Sequence, residues 1–172
     1  PTSQDILAYL KSKNVPETHA YGMIANIDAE SAFNQDAAEF PDTQKGGIGL
    51  FQHTGSRRKA LEQFVPDWES NWKKQIDFAL GEPESNKYLN TPFKTTEHAS
   101  KWFTIHWERP SNAASEAQQR LNFLPETNKT PVVPPVFKEN KSTTSNFSLM
   151  SSAYASEIGS KPINELTDAE IM

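Results

Sequence analysis

Between Pro16 and Glu30 the apolar residues Ala20, Met23, Ile24 and Ile27 recur at three- and four-residue spacing, the period of a helix that buries one stripe. Pro16 suits a first helical position because its missing N–H has no intrahelical partner there, and Glu17 favours the same end through the helix dipole. At roughly 100° per residue, Glu30 falls on the flank of the stripe and Asp28 points well away from it. Glu30 is therefore expected to be partly desolvated and Asp28 solvated. Burial disfavours an ionised carboxyl, so Glu30 is the acid expected to hold its proton near neutral pH and to have one to donate. The plainer reading is a surface acid near a helix end, and the dipole argues against it, because a carboxylate is disfavoured at a C-terminus.

The same period recurs along the chain and predicts helices over 3–13, 16–30, 56–65, 67–80, 96–107 and 113–124, with strand signals scarce. Trp68, Trp72, Ile76, Ala79 and Leu80 give the fourth helix its buried face, and Gly81 suits its stop. Thr95 or Thr96 caps the fifth, in which Ala99, Trp102, Phe103 and His106 recur before Pro110. Trp102 and Phe103 read as core. The stretch 82–92 reads as irregular, with Tyr88 either sealing the core, the favoured reading, or lining a groove. With 35% hydrophobic residues, 172 residues bury one core of ordinary size, and with no cysteine its stability comes from packing alone. The expected fold class is all-α.

Beyond about Pro125 the composition changes. Pro131, Val132, Val133, Pro134 and Pro135 form an extended stretch, and Ser142 to Ser152 has no clear period. The chain divides into a folded domain, 1–124, and an extended C-terminal arm, 125–172. That arm reads as a linker or as a segment that wraps the domain or docks on another subunit, with a short helix over Ile163 to Met172.

Three motifs carry a resemblance. Glu30-Ser31-Ala32-Phe33-Asn34, then Gly47-Ile48-Gly49-Leu50-Phe51-Gln52-His53-Thr54, then Trp107-Glu108-Arg109-Pro110 followed by Asn112 resemble, in order, the phage tail lysozyme family. These are wall-degrading domains carried at the tail tips of bacteriophages. More distantly, the glutamate–serine pair followed by glycine-leucine-x-glutamine is similar to goose-type lysozymes and lytic transglycosylases. The resemblance implies a lysozyme-like all-helical fold, with Glu30 matching the catalytic general acid. It also implies peptidoglycan glycan strands as substrate, no cofactor, and a place in the virion tail beside other tail subunits. His53 stands where the family often carries an aromatic residue, commonly tryptophan.

For the second acid the sequence offers Asp36, Glu39 and Asp42, all between Glu30 and the glycine run. Asp42 is slightly favoured as a base because it adjoins the turn that folds back toward Glu30, and Glu39 follows closely. An inverting hydrolase needs the second carboxylate far enough away to admit a water, and a retaining one needs it closer. A transglycosylase needs no water nucleophile, since the sugar's own hydroxyl closes on the anomeric carbon. Gly46, Gly47 and Gly49 either permit positive backbone angles or let the backbone approach a saccharide. Gln52 would then bond an N-acetyl group or position Glu30. Candidate substrate-binding residues are Gln52, Gly49, His53, Tyr88 and Glu108. Glu108 and Arg109 leave a helix ahead of a proline turn and either brace a site wall or place Glu108 as a second acid.

Composition excludes other classes. A net charge of −5 opposes nucleic-acid binding, which needs clustered Lys and Arg. The only dense basic patch, Arg57-Arg58-Lys59, reads as a solvated helix face that could also meet anionic wall polymer. No apolar run reaches the length of a membrane span. His19, His53, His98 and His106 lack any spacing with acids that forms a zinc site, so no metal is expected. A non-catalytic tail protein with the same fold is the remaining alternative, because fold alone does not guarantee activity.

Overall fold

The computed structural model describes residues 1–40 and 45–125. Asp42 and nearly all of the C-terminal arm lie outside the described residues. The described elements are helical, and the only β pairing among them is two isolated bridges, Ala38 to Ile48 and Ile48 to His53. The all-α expectation holds.

Helix α1, Ser3–Ser12, starts at a capping box in which Thr2 accepts from the Asp5 backbone N–H while the Asp5 carboxylate accepts from that of Thr2. Helix α2, Glu17–Ser31, is the central element. It buries His19, Ala20, Gly22, Met23, Ile24, Ala25, Asn26 and Ile27, more of its circumference than a one-stripe surface helix would. Helices α3, Gly55–Phe64, and α4, Trp72–Gly81, follow, then α5, Pro83–Asn90, α6, Thr96–Trp102, and α7, Ala113–Arg120. A π-helical turn, Phe103–Glu108, continues α6.

Gly22 lets α2 and α6 cross closely. A Cβ there would sit 2.5 Å from the Tyr88 hydroxyl and 2.9 Å from the Ser100 nitrogen. Next to this crossing, buried Asn26 donates to the Gly22 carbonyl at 2.8 Å and accepts from the Thr104 hydroxyl at 2.7 Å. Polar groups in the seam between the two helices are thus paired, as burial requires.

Three expectations need correction. The segment expected as one helix over 67–80 is a 3₁₀ turn, Trp68–Ser70, then α4. Asn71 breaks it by accepting the Lys74 N–H on its side chain, the capping geometry asparagine favours. The stretch 82–92, expected to be irregular, is largely α5. It opens with proline at its first position, with Glu84 in the first turn and Lys87 in the last. Only Ser85 and Tyr88 of this helix are buried, too sparse a stripe for periodicity to register. Finally, the helix expected over 96–107 widens into the π turn, where Arg109 N–H reaches back five residues to Thr104 and Phe103 stacks on Trp107 at 4.6 Å. Such turns recur at functional sites.

Candidate active site

Glu30 lies in the last turn of α2. The helix stops at Ala32 and Phe33, both in the left-handed region at φ 48° and 63°, which turns the chain away and leaves Glu30 at the helix mouth. Its side chain is 21% exposed and meets the guanidinium of Arg120, the last residue of α7, 9% exposed. The same Nη2 of Arg120 donates to Glu116 at 3.1 Å. Burial raises the Glu30 pKa above the ordinary carboxyl value; the charge of Arg120 opposes this and that of Glu116 adds to it. The net direction is upward, as the sequence led us to expect. Asp28, expected to be solvated, is instead partly buried, and burial raises its pKa too.

Glu108, at the end of the π turn, is more deeply held. Burial pushes its carboxyl well above the usual range, with the charge of Glu30 pushing the same way and Arg57 and Arg120 opposing. Its Oε1 is sealed from water without a hydrogen-bond partner among the described residues, so keeping the proton removes the cost of a buried unpaired charge. Two carboxyls that feel each other's charge titrate in succession, and their pKa values belong to the pair. Arg109, at φ 56°, turns away and meets Glu84 at 3.8 Å.

The glycine run is a folded turn. Glu39 is exposed, and its backbone N–H donates to the Gly47 carbonyl at 3.0 Å while its carboxylate accepts the Gly47 N–H at 3.2 Å. Gln52, at φ 48°, donates from its amide to the carbonyls of Gly49 and Ala37 at 2.9 and 3.3 Å. Gly49 has φ +72°, and a Cβ there would fall 2.5 Å from the Gln75 amide oxygen. Gln75, fully buried, accepts from Leu50 N–H at 2.8 Å and donates to the carbonyls of Gln35 and Trp68. It ties the loop after α2 to the glycine turn.

A family model described as phage tail lysozyme matches residues 1–123. The chain belongs to the phage tail lysozyme family. That membership places it among phage lysozyme-type peptidoglycan hydrolases in general. No curated protein and no solved structure matches the chain.

Two other positions singled out from the sequence, His53 and Tyr88, are core residues. His53 is 1% exposed, packed among Phe51, Phe78 and Trp107, and burial lowers its pKa despite Glu82 at 3.4 Å. Tyr88 is fully buried and donates to the His19 carbonyl at 2.8 Å. Neither ring offers a face to a ligand. The supposed solvated patch is largely structural: Arg58 is 6% exposed and donates to Lys45 O and Glu62, and Arg57 forks onto Glu82, with only Lys59 open to solvent. Arg57 also lies 3.9 Å over the Trp107 ring and donates to its carbonyl. The Arg57–Glu82 pair lines an open groove of about 520 Å³ together with Phe64, Phe78 and Pro83.

Three residues of this candidate site escaped sequence reading, Arg120, Glu116 and Gln75. The i, i+4 spacing of Glu116 and Arg120 is a helix-surface pattern, but its extension to Glu30, ninety residues earlier, leaves no local signal. Among the described residues no group of three His, Asp or Glu side chains could hold a metal ion, and no helix is long and apolar enough to cross a membrane.

Proposed function

We propose that this protein is a virion lysozyme that cleaves the β-1,4 bond between N-acetylmuramic acid and N-acetylglucosamine, with Glu30 as general acid. The observation that carries this is a carboxyl at a helix mouth whose burial outweighs its pairing with arginine. As the bond from the anomeric carbon to the bridging oxygen breaks, the electron pair stays on oxygen, which takes the Glu30 proton. Water adds its hydroxide to the anomeric carbon while a base takes its remaining proton, and exchange with solvent then returns a proton to Glu30 and strips the one from the base. Asp42 is our choice for that base, since the carboxylate of Glu39 is engaged by Gly47. Gln52 and Gly49 form the wall nearest the scissile sugar, and the neutral carboxyl of Glu108 is a hydrogen-bond donor for substrate. Acting from the tail tip, the enzyme opens the wall locally during infection, and residues 125–172 dock it on other tail subunits. Removing 126–172 leaves wall cleavage intact and impairs particle assembly; loss of both would refute the division.

The test is cleavage of purified peptidoglycan by wild type and Glu30→Gln, with mass analysis of the products. We expect sugars with reducing ends from the wild type and almost none from the variant. Equal turbidity loss from both removes Glu30 from the chemistry, and anhydro ends would make the enzyme a lytic transglycosylase.

A further inference from the structure

We propose that Arg120 is a positioning residue that sets how readily Glu30 releases its proton, with Glu116 holding the guanidinium charge in check. The inference rests on Glu30 being the general acid. An acid that donates in the transition state ends the step as a carboxylate, so a cation beside it stabilises what it becomes. The same cation, unopposed, would ionise the acid before substrate arrives and leave no proton to give.

The geometry resolves that conflict by sharing one nitrogen. Arg120 Nη2 contacts Glu30 Oε1 and lies 3.1 Å from Glu116 Oε2. At 9% exposure its charge is little screened by water. The contact uses Oε1 alone, which leaves Oε2 to deliver the proton. Contact through one nitrogen differs from a fork that would grip both oxygens. Helix α7, which carries both Arg120 and Glu116, packs against α2, α6 and the π turn, so the guanidinium reaches Glu30 from a braced backbone. The other charged groups near Glu30 do not upset this balance. Burial on the π turn favours the neutral form of Glu108, Arg57 and Glu82 pair with one another, and Asp28 lies on α2 itself.

The experiment is a carboxyl-carbon NMR titration of Glu30, with pH–rate profiles on purified peptidoglycan, in wild type, Arg120→Gln, Arg120→Lys, Glu116→Gln and Glu30→Gln. Loss of the Arg120 charge removes a stabiliser of the carboxylate, so Arg120→Gln moves the Glu30 midpoint and the alkaline limb of activity upward by about one to two pH units. Arg120→Lys keeps the charge and returns the limb toward wild type. Glu116→Gln removes the opposing charge and moves both downward. Midpoints that stay at the wild-type value would mean that the guanidinium charge does not act on Glu30. If Arg120→Gln fails to fold, the downward shift in Glu116→Gln carries the test alone. Unmoved midpoints with an inactive Glu30→Gln overturn this inference only, and a Glu30→Gln variant as active as wild type overturns the general-acid reading with it.

Discussion

Glu30 and Glu82 both sit at a helix end, both are largely shielded from water, at 21% and 12% exposure, and both face an arginine from another helix. Burial raises the pKa of each, yet Glu30 stays above the ordinary carboxyl value and Glu82 falls below it. At Glu82, Arg57 forks onto both oxygens at 2.7 Å and His53 stands at 3.4 Å, and together these outweigh desolvation. At Glu30 one nitrogen is shared with a second carboxylate. Helix polarity does not divide them as cleanly: Glu82 caps the C-terminus of α4 as well as the N-terminus of α5, and Glu30 closes α2. An arginine–glutamate pair is therefore a brace or a poised acid according to fork geometry and competing charge.

The largest expected effect separates the two pairs by activity. On purified wall, Glu30→Gln should lower cleavage by about 10²–10⁴-fold, the usual worth of a general acid, while Glu82→Gln keeps the chemistry at neutral pH. Equal losses would erase the distinction drawn here. Next comes stability. Glu82→Gln loses charge-assisted bonds to a partly buried guanidinium, so urea unfolding should show a cost of about 1.5–3 kcal/mol. A cost near zero would mean the fork is not a brace.

The pH dependence should carry opposite signs. The folded pKa of Glu82 is depressed, so its contribution is present above the unfolded value and is lost as pH falls through the folded one. That of Glu108 is raised, so its contribution is complete below the ordinary carboxyl range and is lost as pH rises through the folded value. Melting of Glu108→Gln beside wild type should therefore show an advantage for the variant that widens as pH rises, and a constant difference would place Glu108 in water. The smallest effect is that of Glu116→Gln on folding, about 0.3–0.5 kcal/mol for an i, i+4 pair. Its Tm should barely move even as the alkaline limb of activity shifts, which separates tuning of the acid from support of the fold.

How much was legible follows from how local each signal is. The α2 stripe, the Thr95 cap, whose side chain accepts the His98 N–H, and the burial of Phe103 depend on neighbours within a turn or two, and periodicity reads such neighbours. Helix α5 was missed because two buried residues make no stripe, and the π turn because a residue inserted in the ladder leaves the composition unchanged. The basic patch misled for a different reason: adjacent cations in sequence are sent by the helix to different partners, Glu82 for Arg57 and Glu62 for Arg58.

By itself the sequence determined that the described domain is helical, that its family is the phage tail lysozymes, and that Glu30 closes a buried helix, because spacing along one helix fixes which side chains share a face. Only the tertiary structure decided what that carboxyl meets. Arg120 and Glu116 from α7, Glu108 from the π turn, and Gln75 bridging the loop after α2 to the glycine turn come from distant segments. Their charges act through space, over distances that only packing sets.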